Sequence, residues 1–263
     1  MITLTSDFGS PYPAAMKGVL CSHTDARLVD IAHDFPRQDV RTTAFWLREV
    51  LPYFPPATHL VVVDPGVGTD RAALVIRAGE HVLVGPDNGV LTPVARRLAS
   101  DARGTDDGTA DGAEPFEIVV EDPESATFHG RDVFAPAAAR AHEASVGRLD
   151  ECDEFVPADG YEELRFPDPA VETDGATGEV LVVDGFGNAV TNVPGEMLDG
   201  RFGEQIAVDG GRAPVARSYA QVAAGERLVT VGSHGNVELA ANRGRGGEAF
   251  GVGVGDPIDL AFE

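Results

Sequence analysis

The chain has 263 residues, of which 43 are acidic and 20 are basic, so its formal net charge is −23. A surface this negative repels phosphate backbones and anionic lipid heads, which argues against nucleic-acid and membrane partners. No apolar run approaches the length that spans a bilayer, and the N-terminal residues lack the pattern of a signal peptide. Two cysteines are too few for a disulfide framework. We expect a cytoplasmic protein.

The basic residues are unusual because Lys17 is the only lysine among them. An acidic chain almost free of lysine indicates adaptation to high salt, where screening removes most of the repulsion between like charges. The alternative is an ordinary acidic protein that binds a cationic ligand.

The first half of the chain alternates short apolar segments with longer helical patterns. Strands are predicted at residues 2–5, 27–31, 59–63, 73–77, 81–84 and 116–120, the fourth and fifth of them forming a hairpin. Helices are predicted at residues 14–22, 40–50, 89–98 and 132–144, and a loop rich in Gly and Asp at 101–114. This alternation predicts a parallel sheet with helices on both faces.

The composition changes after about residue 150. Prolines and acids between Cys152 and Gly178 indicate a linker. Short β-type segments separated by glycines follow, at residues 180–183, 189–191, 205–208, 227–231, 237–239 and 257–260. Without long helices, these segments favour a small antiparallel barrel or sandwich. We expect an α/β domain at 1–165 and a β domain at 175–263, with a ligand pocket at their junction.

Three polar clusters in the first half follow predicted strands or precede a helix. Asp7 comes directly after the first strand, where an acid commonly binds a ribose diol, although it equally suits a turn or helix cap. Asp64 and Arg71 flank a glycine-containing loop and suit either an ion pair aimed into a pocket or one that closes the loop. His129, between Phe128 and Gly130, suits a general base or an ordinary turn.

A fourth polar cluster, Asp184-Gly-Phe186-Gly-Asn188, lies in the second half. An asparagine beside an aromatic ring suits recognition of adenine, and it equally suits a hairpin turn. The glycines at 251–255 lack the strand-to-helix context of a dinucleotide fingerprint. The seven histidines show no metal-ligand spacing, so no metal is expected.

Five segments in this order resemble the S-adenosyl-L-methionine hydroxide adenosyltransferases, which are adenosine-forming hydrolases related to fluorinases and chlorinases. The segments are TLTSDFG with MKGV, VVVDPGVGTDR, GPDNGVL, TFHGRDVFAPAA and VDGFGNAVTNV. The resemblance covers most of the chain. It implies a Rossmann-like α/β domain followed by a small C-terminal β-barrel, and a homotrimer with active sites between subunits. It also implies S-adenosylmethionine as substrate and no cofactor.

The resemblance also assigns roles to residues. It implies a catalytic set for the attacking water at Asp64, Arg71 and His129, with Asp7 on the ribose diol and Phe128 beside the sugar. Contacts to the adenine and methionine ends, or a position near the adenine, are implied for Asp184, Phe186, Asn188, Ser233, Asn242 and Arg243. The halogenases carry Tyr at the positions of Asp64 and His129 and Ser at that of Gly130, which favours water as the nucleophile here.

The chain departs from the family pattern after Gly9. An acid that usually follows the DFG motif and holds the methionine end is missing from a loop about two residues shorter, and Tyr12 is the candidate replacement. His234 stands where the halogenases carry an Arg that reaches the carboxylate. The sequence therefore favours hydrolysis of S-adenosylmethionine at C5′ of the ribose. A halide adenosyltransferase and a non-catalytic adenosine-binding protein are the alternatives.

Overall fold

The computed structural model of the chain describes residues 1–103, 112–119 and 127–262. They fall into two units, Met1–Arg165 and Phe166–Glu263. Most of the predicted loop at 101–114 and the predicted strand end at Val120 lie outside the described residues. Where the chain is described on either side of that loop, a helix runs to Arg103 and a strand begins at Ala113.

The N-terminal unit is built on one mixed sheet. Its strands are Ile2–Ser6 (β1), Leu28–Ala32 (β2), Thr58–Val62 (β3), Ala73–Ala78 (β4), His81–Pro86 (β5), Ala113–Ile118 (β6) and Phe155–Pro157 (β7). Their order is β2-β1-β3-β5-β4-β6-β7. The first four strands of this order are parallel, and the last three pair antiparallel. The prediction of a parallel sheet was therefore wrong for one half of it, because the β4–β5 hairpin reverses the strand direction.

Four helices flank this sheet, at Tyr12–His23 (α1), Val40–Val50 (α2), Thr92–Arg103 (α3) and Ala135–Ala144 (α4). Helix α1 packs with α4, and α2 packs with α3. Leu60 and Val62 of β3 share a buried cluster with residues of α1 and α4, whereas Val61 between them is buried outside that cluster. Because successive side chains of a strand point to opposite faces, the two helix pairs cover opposite faces of the sheet.

The C-terminal unit is a nearly closed antiparallel sheet. Its strands are Ala170–Glu172 (β8), Gly175–Val183 (β9), Ala189–Pro194 (β10), Gln205–Val208 (β11), Gly211–Pro214 (β12), Arg227–Val231 (β13), Asn236–Ala241 (β14) and Pro257–Ala261 (β15), with one short helix at Gly246–Phe250 (α5). The order is β12-β11-β15-β9-β10-β14-β13, with β8 against β9. A bridge between Val215 and Val229 joins the two ends of this order. The predicted α/β unit followed by a β-barrel-like unit is thereby confirmed.

Several predicted boundaries were wrong in detail. The third helix begins at Thr92 rather than Gly89, because Gly89 has a positive φ of 85°. The helix predicted from Asp132 is preceded by a π-helical turn, Gly130–Phe134, and becomes regular at Ala135. Strands β7 and β8 lie inside the predicted linker, and β12 was missed, because these strands are three or four residues long and carry little periodicity.

Candidate active site

Parallel pairing brings two of the predicted acids to the same edge of the N-terminal sheet. Strands β1 and β3 are in register, with Ser6 opposite Val62 at their carboxyl ends. Asp7 follows Ser6 directly, and Asp64 lies two residues beyond Val62. Carboxyl ends of parallel strands are where open α/β sheets bind ligands.

The structure contains an ion pair between Asp64 and Arg71. The guanidinium Nη2 of Arg71 donates to Oδ2 of Asp64, whose side chain is 5% exposed. Oδ1 of Asp64 accepts a 2.8 Å hydrogen bond from the backbone N–H of Gly66. A Cβ at Gly66 would lie 2.8 Å from Nε of Arg71. The glycine therefore lets the arginine cross the loop and reach the carboxylate.

A second acid, Asp87, interacts electrostatically with the guanidinium of Arg71. Burial raises the pKa of Asp87, and the backbone N–H of Glu162 and the charge of Arg71 oppose that rise. The backbone N–H of Asp87 and Nη1 of Arg71 both donate to the carbonyl of Ala72. Arg71 thus pairs directly with the carboxylate of Asp64, and its charge acts through space to lower the pKa of Asp87.

A cavity of about 550 Å³ borders Arg71 and His129. A neighbouring cavity of about 650 Å³ borders Asp7, Asp64 and Phe128. Because Asp64 borders one cavity and its partner Arg71 the other, the ion pair lies between the two. Both volumes are of the size that holds a nucleoside-sized ligand.

Three aromatic rings form part of the wall of the larger cavity. Phe8, Tyr12 and Phe128 are mutually edge-to-face, with ring centroids between 5.7 and 6.1 Å apart. This arrangement suits the charge distribution of aromatic rings and fixes their orientation. Asp7 is held at the same cavity by a 2.6 Å hydrogen bond from the backbone N–H of Gln38. The carboxylate of Asp7 is therefore bound by the segment that precedes α2 rather than capping α1.

Gly130 closes the packing behind His129. A Cβ at this position would lie 3.0 Å from Sδ of Met16, and 3.2 Å from both Phe128 and Val62. Any larger residue would require those neighbours to move. The buried glycine thus ties the start of the π-helical turn to the aromatic wall.

In the C-terminal unit, Asp184 closes the turn between β9 and β10. Its Oδ1 accepts from the backbone N–H groups of Phe186 at 2.9 Å and Asn188 at 2.8 Å. The side-chain amide of Asn188 donates to the second oxygen of Asp184 at 3.2 Å, and Asn188 is buried. The turn therefore uses the polar groups of both residues, whereas the ring of Phe186 is 82% exposed.

The other predicted residues of this unit lie in two further turns. Ser233 is exposed in the turn between β13 and β14. Asn242 donates from its side chain to the carbonyl of Val222 at 2.8 Å, and Arg243 is exposed with a positive φ of 56°. Asn242 thus joins the turn after β14 to the segment that precedes β13.

Sequence reasoning did not single out a buried acid of the C-terminal unit, Glu238. Its carboxylate accepts a 2.7 Å hydrogen bond from the hydroxyl of Tyr219 and lies 3.6 Å from Nε2 of His234. Burial, this hydrogen bond and the nearby charges of Glu238 and Asp184 raise the pKa of Tyr219. Glu238 is one of several polar residues in this sheet, and no local motif distinguishes it. Phe8 and Gln38 were likewise missed, although Phe8 adjoins Asp7.

Within residues 1–103, 112–119 and 127–262, no group of His, Cys, Asp or Glu side chains is arranged to hold a metal ion. None of the helices in that part of the chain is both long and apolar enough to cross a membrane.

Comparison with protein families defines the class to which this fold and site belong. Residues 2–152 match the N-terminal domain, and residues 178–259 the C-terminal domain, of the SAM hydroxide adenosyltransferases. The chain belongs to this family, which confirms the resemblance found in its sequence motifs.

Relatives of known sequence and structure extend this result over almost the whole chain. Proteins named (R)-S-adenosyl-L-methionine hydrolase are 40% identical in Salinispora tropica, over 98% of this chain and 96% of theirs, and 41% identical in Thermus thermophilus, over 97% of each. A crystal structure of a conserved protein from Thermotoga maritima matches with a TM-score of 0.82 and 33% identity, covering 99% of this chain and all of that one. A second, from Thermus thermophilus, has a TM-score of 0.74 and 36% identity over 98% of each chain.

Proposed function

We propose that this protein hydrolyses S-adenosyl-L-methionine at C5′ of the ribose, giving adenosine and L-methionine. The observation that carries the proposal is the family match, with relatives near 40% identity that are named for this activity. The ion-paired Asp64 and Arg71 beside a cavity bordered by His129 support it chemically. Because those relatives are named for the (R) form, we include the (R)-sulfonium epimer as the substrate.

In the proposed reaction, the oxygen of water forms a bond to C5′ while the bond from C5′ to sulfur breaks. The bonding electrons go to sulfur, so the cationic sulfonium leaves as neutral methionine and needs no general acid. Arg71 polarises the water, Asp64 holds Arg71 in place, and His129 orients the water and accepts its proton. Alignment of water and carbon at about 3–3.5 Å supplies roughly 7–11 kcal/mol of the barrier reduction.

The remaining predicted residues bind the substrate. Asp7 accepts hydrogen bonds from the ribose diol, Phe128 packs beside the sugar, and Tyr12 replaces the acid missing after Gly9. In the C-terminal unit, the exposed ring of Phe186 and the hydroxyl of Ser233 contact substrate together with Arg243. Asp184 and Asn188 contact the substrate from the turn that they hold, and Asn242 does so from a turn that its side chain joins to Val222.

Product analysis tests the proposal and separates it from its alternatives. Purified protein is incubated with the (R) and (S) epimers in oxygen-18-labelled water at several chloride concentrations, with and without a chelator. We expect labelled adenosine with (R)-S-adenosylmethionine, unaffected by the chelator, because the reaction as written needs no metal or cofactor. A 5′-chloro-5′-deoxyadenosine product would establish the halide reaction instead. Tight adenosine binding without turnover in any salt would establish a binding protein.

Three properties of the whole protein accompany this proposal. We propose the homotrimer that the family resemblance implies, which sedimentation analysis tests directly. The net charge of −23 and the single lysine support a halophilic protein. Its unfolding temperature should rise with sodium chloride, because screening weakens the repulsion among its acids. A cytoplasmic location stays a prediction.

A further inference from the structure

A chain of hydrogen-bonded side chains lies behind the loop that carries Asp7. Oγ of Ser6 is 2.7 Å from Nδ1 of His33, and Nε2 of His33 is 3.0 Å from Oδ1 of Asp30. The other oxygen of Asp30 accepts a 2.6 Å hydrogen bond from Lys17. The chain runs from a partly exposed lysine to a serine with no exposed surface.

Asp30 determines which nitrogen of His33 carries the hydrogen. Burial acts to raise the pKa of Asp30, but hydrogen bonds from Lys17 and His33 outweigh it and lower the pKa overall. An ionised carboxylate can only accept, so Nε2 of His33 donates to it. In the neutral ring, Nδ1 is then free to accept the hydroxyl hydrogen of Ser6.

His33 holds the Asp7 loop at both of its ends. Its ring contacts Ser6, which precedes Asp7, and its backbone carbonyl accepts a 2.8 Å hydrogen bond from the N–H of Gly9. Asp7 and Phe8 are the two residues between these anchors. Asp7 borders the larger cavity with its carboxylate, and Phe8 borders it with one of the three aromatic rings.

The order Ser–His–Asp resembles a nucleophilic triad, but its position in the fold excludes that role. Ser6 is fully buried as the last residue of β1, so no substrate carbonyl reaches its hydroxyl. Its hydrogen bond fixes the backbone next to Asp7 instead. We propose that His33 is a positioning residue, which holds the carboxylate of Asp7 at the orientation that binds a ribose diol.

The proposal rests on the proposed function in one respect, the role of Asp7 as the ligand of the diol. The test is therefore a binding measurement with two probes, adenosine and 2′,3′-dideoxyadenosine, which lacks both hydroxyls. Positioning through Asp7 affects only the first probe, whereas general loosening of the loop affects both. Turnover of S-adenosylmethionine is measured separately.

Four variants separate positioning through Asp7 from general loosening of the loop. His33→Ala removes both side-chain contacts, and Ser6→Ala removes the same contact to Nδ1 from its other end. His33→Asn keeps an amide near the position of Nδ1 and should restore the contact to Ser6. His23→Ala is the control, because His23 is an exposed histidine that hydrogen-bonds within α1, to Val19 and Ser22.

We expect His33→Ala to weaken adenosine binding about tenfold, which is the effect of losing one well-placed hydrogen bond to the ligand. The dideoxynucleoside should bind His33→Ala and the wild type equally. For His33→Ala, KM for S-adenosylmethionine should rise by a similar factor, with a smaller change in kcat. Ser6→Ala should follow the same pattern. His33→Asn should bind adenosine within about threefold of the wild type.

Equal weakening for both nucleosides, or no weakening, would overturn the proposal and leave His33 a structural residue. If His33→Ala fails to fold, Ser6→Ala and His33→Asn decide the question by the ratio of their affinities for adenosine and for 2′,3′-dideoxyadenosine. A wild type that binds adenosine without hydrolysing S-adenosylmethionine would remove the proposed function and leave the binding test intact. A wild type that does not prefer adenosine to the dideoxy analogue would overturn the assignment of Asp7 and this proposal together.

Discussion

The two units use their polar turn residues in opposite ways. In the N-terminal unit, Asp7 binds the backbone of Gln38, 31 residues away, and Asp64 binds Arg71 across a loop that borders a cavity. In the C-terminal unit, Asp184 binds the backbone of its own turn and the side chain of Asn188. In the first unit these acids bind groups outside their own turn and border cavities, whereas Asp184 and Asn188 in the second unit bind within one turn.

The largest expected effect tests the Asp64–Arg71 ion pair. Arg71→Ala removes the group that polarises the water and leaves Asp64 buried without its partner, so kcat should fall about 10³-fold. Steady-state kinetics with S-adenosylmethionine measures this. The matched control is Arg97→Ala, because Arg97 makes an exposed ion pair with Asp101 that contributes less than about 1 kcal/mol. Equal activity of the two variants would remove Arg71 from the chemistry.

The next effect concerns His129, which borders the same cavity as Arg71. His129→Ala should lower kcat about 10²-fold, the lower end of what a positioned acid–base group contributes. Adenosine affinity should stay within threefold, because the ring acts on water rather than on the nucleoside. Single-turnover kinetics and equilibrium binding separate the two quantities. A large loss of affinity with unchanged kcat would make His129 a binding residue.

In the C-terminal unit, stability and binding should be separable. Asp184→Ala leaves two backbone N–H groups without their acceptor and should lower the free energy of unfolding by about 1–3 kcal/mol. Phe186→Ala changes an exposed ring, so it should raise KM and leave unfolding by urea unchanged. If Phe186→Ala destabilised the fold as much as Asp184→Ala, the distinction between turn and contact residues would be wrong.

The smallest effect tests a contact between distant segments that serves the core alone. His59 lies between Thr3 and His81, at 2.8 and 2.9 Å. Burial, with a further contribution from the charge of His81, lowers the pKa of His59 to about 3. The ring of His59 binds a proton at a higher pH in the unfolded chain than in the folded protein. The contribution of the neutral ring to the free energy of unfolding is therefore complete above about pH 6.5 and is lost as the pH falls toward 3. The loss is at most about 1.4 kcal/mol per pH unit.

Urea unfolding at pH 7 and pH 5 measures this dependence. His59→Asn should flatten it, since the buried ring that resists protonation is gone. His23→Ala should keep the wild-type slope, because that ring is exposed. Identical slopes for all three proteins would assign the acid sensitivity to other groups.

Sequence periodicity predicted most of the elements because their apolar residues recur at the spacing of a helix or of a strand. Helix α2 and strands β11 and β13 have the predicted bounds. The hairpin predicted at residues 73–77 and 81–84 is present as β4 and β5, whereas the antiparallel placement of β6 beside β4 was not predicted, since an apolar strand suits either orientation. Periodicity also missed β7 and β8, whose few residues are stabilised by backbone pairing with β6 and β9.

Local motifs account for the positions of only some residues of the candidate site. Asp7 and Asp64 follow β1 and β3, Arg71 precedes β4, and these positions are visible in the sequence. The motif rules did not anticipate that Gln38 binds Asp7 or that Glu238 binds Tyr219, because each pair is joined only by the fold. The residues of the Asp184 turn suit both adenine recognition and a hairpin turn. The structure shows that the polar groups of Asp184 and Asn188 bond to each other.

The tight packing at Gly130 has a consequence for altering the nucleophile of this site. Installing the serine that halogenases carry there would press against the sulfur of Met16 and the ring of Phe128. A laboratory exchange of the nucleophile that begins at position 130 therefore depends on the side chain of Met16 and the ring of Phe128 each giving way by a few tenths of an ångström.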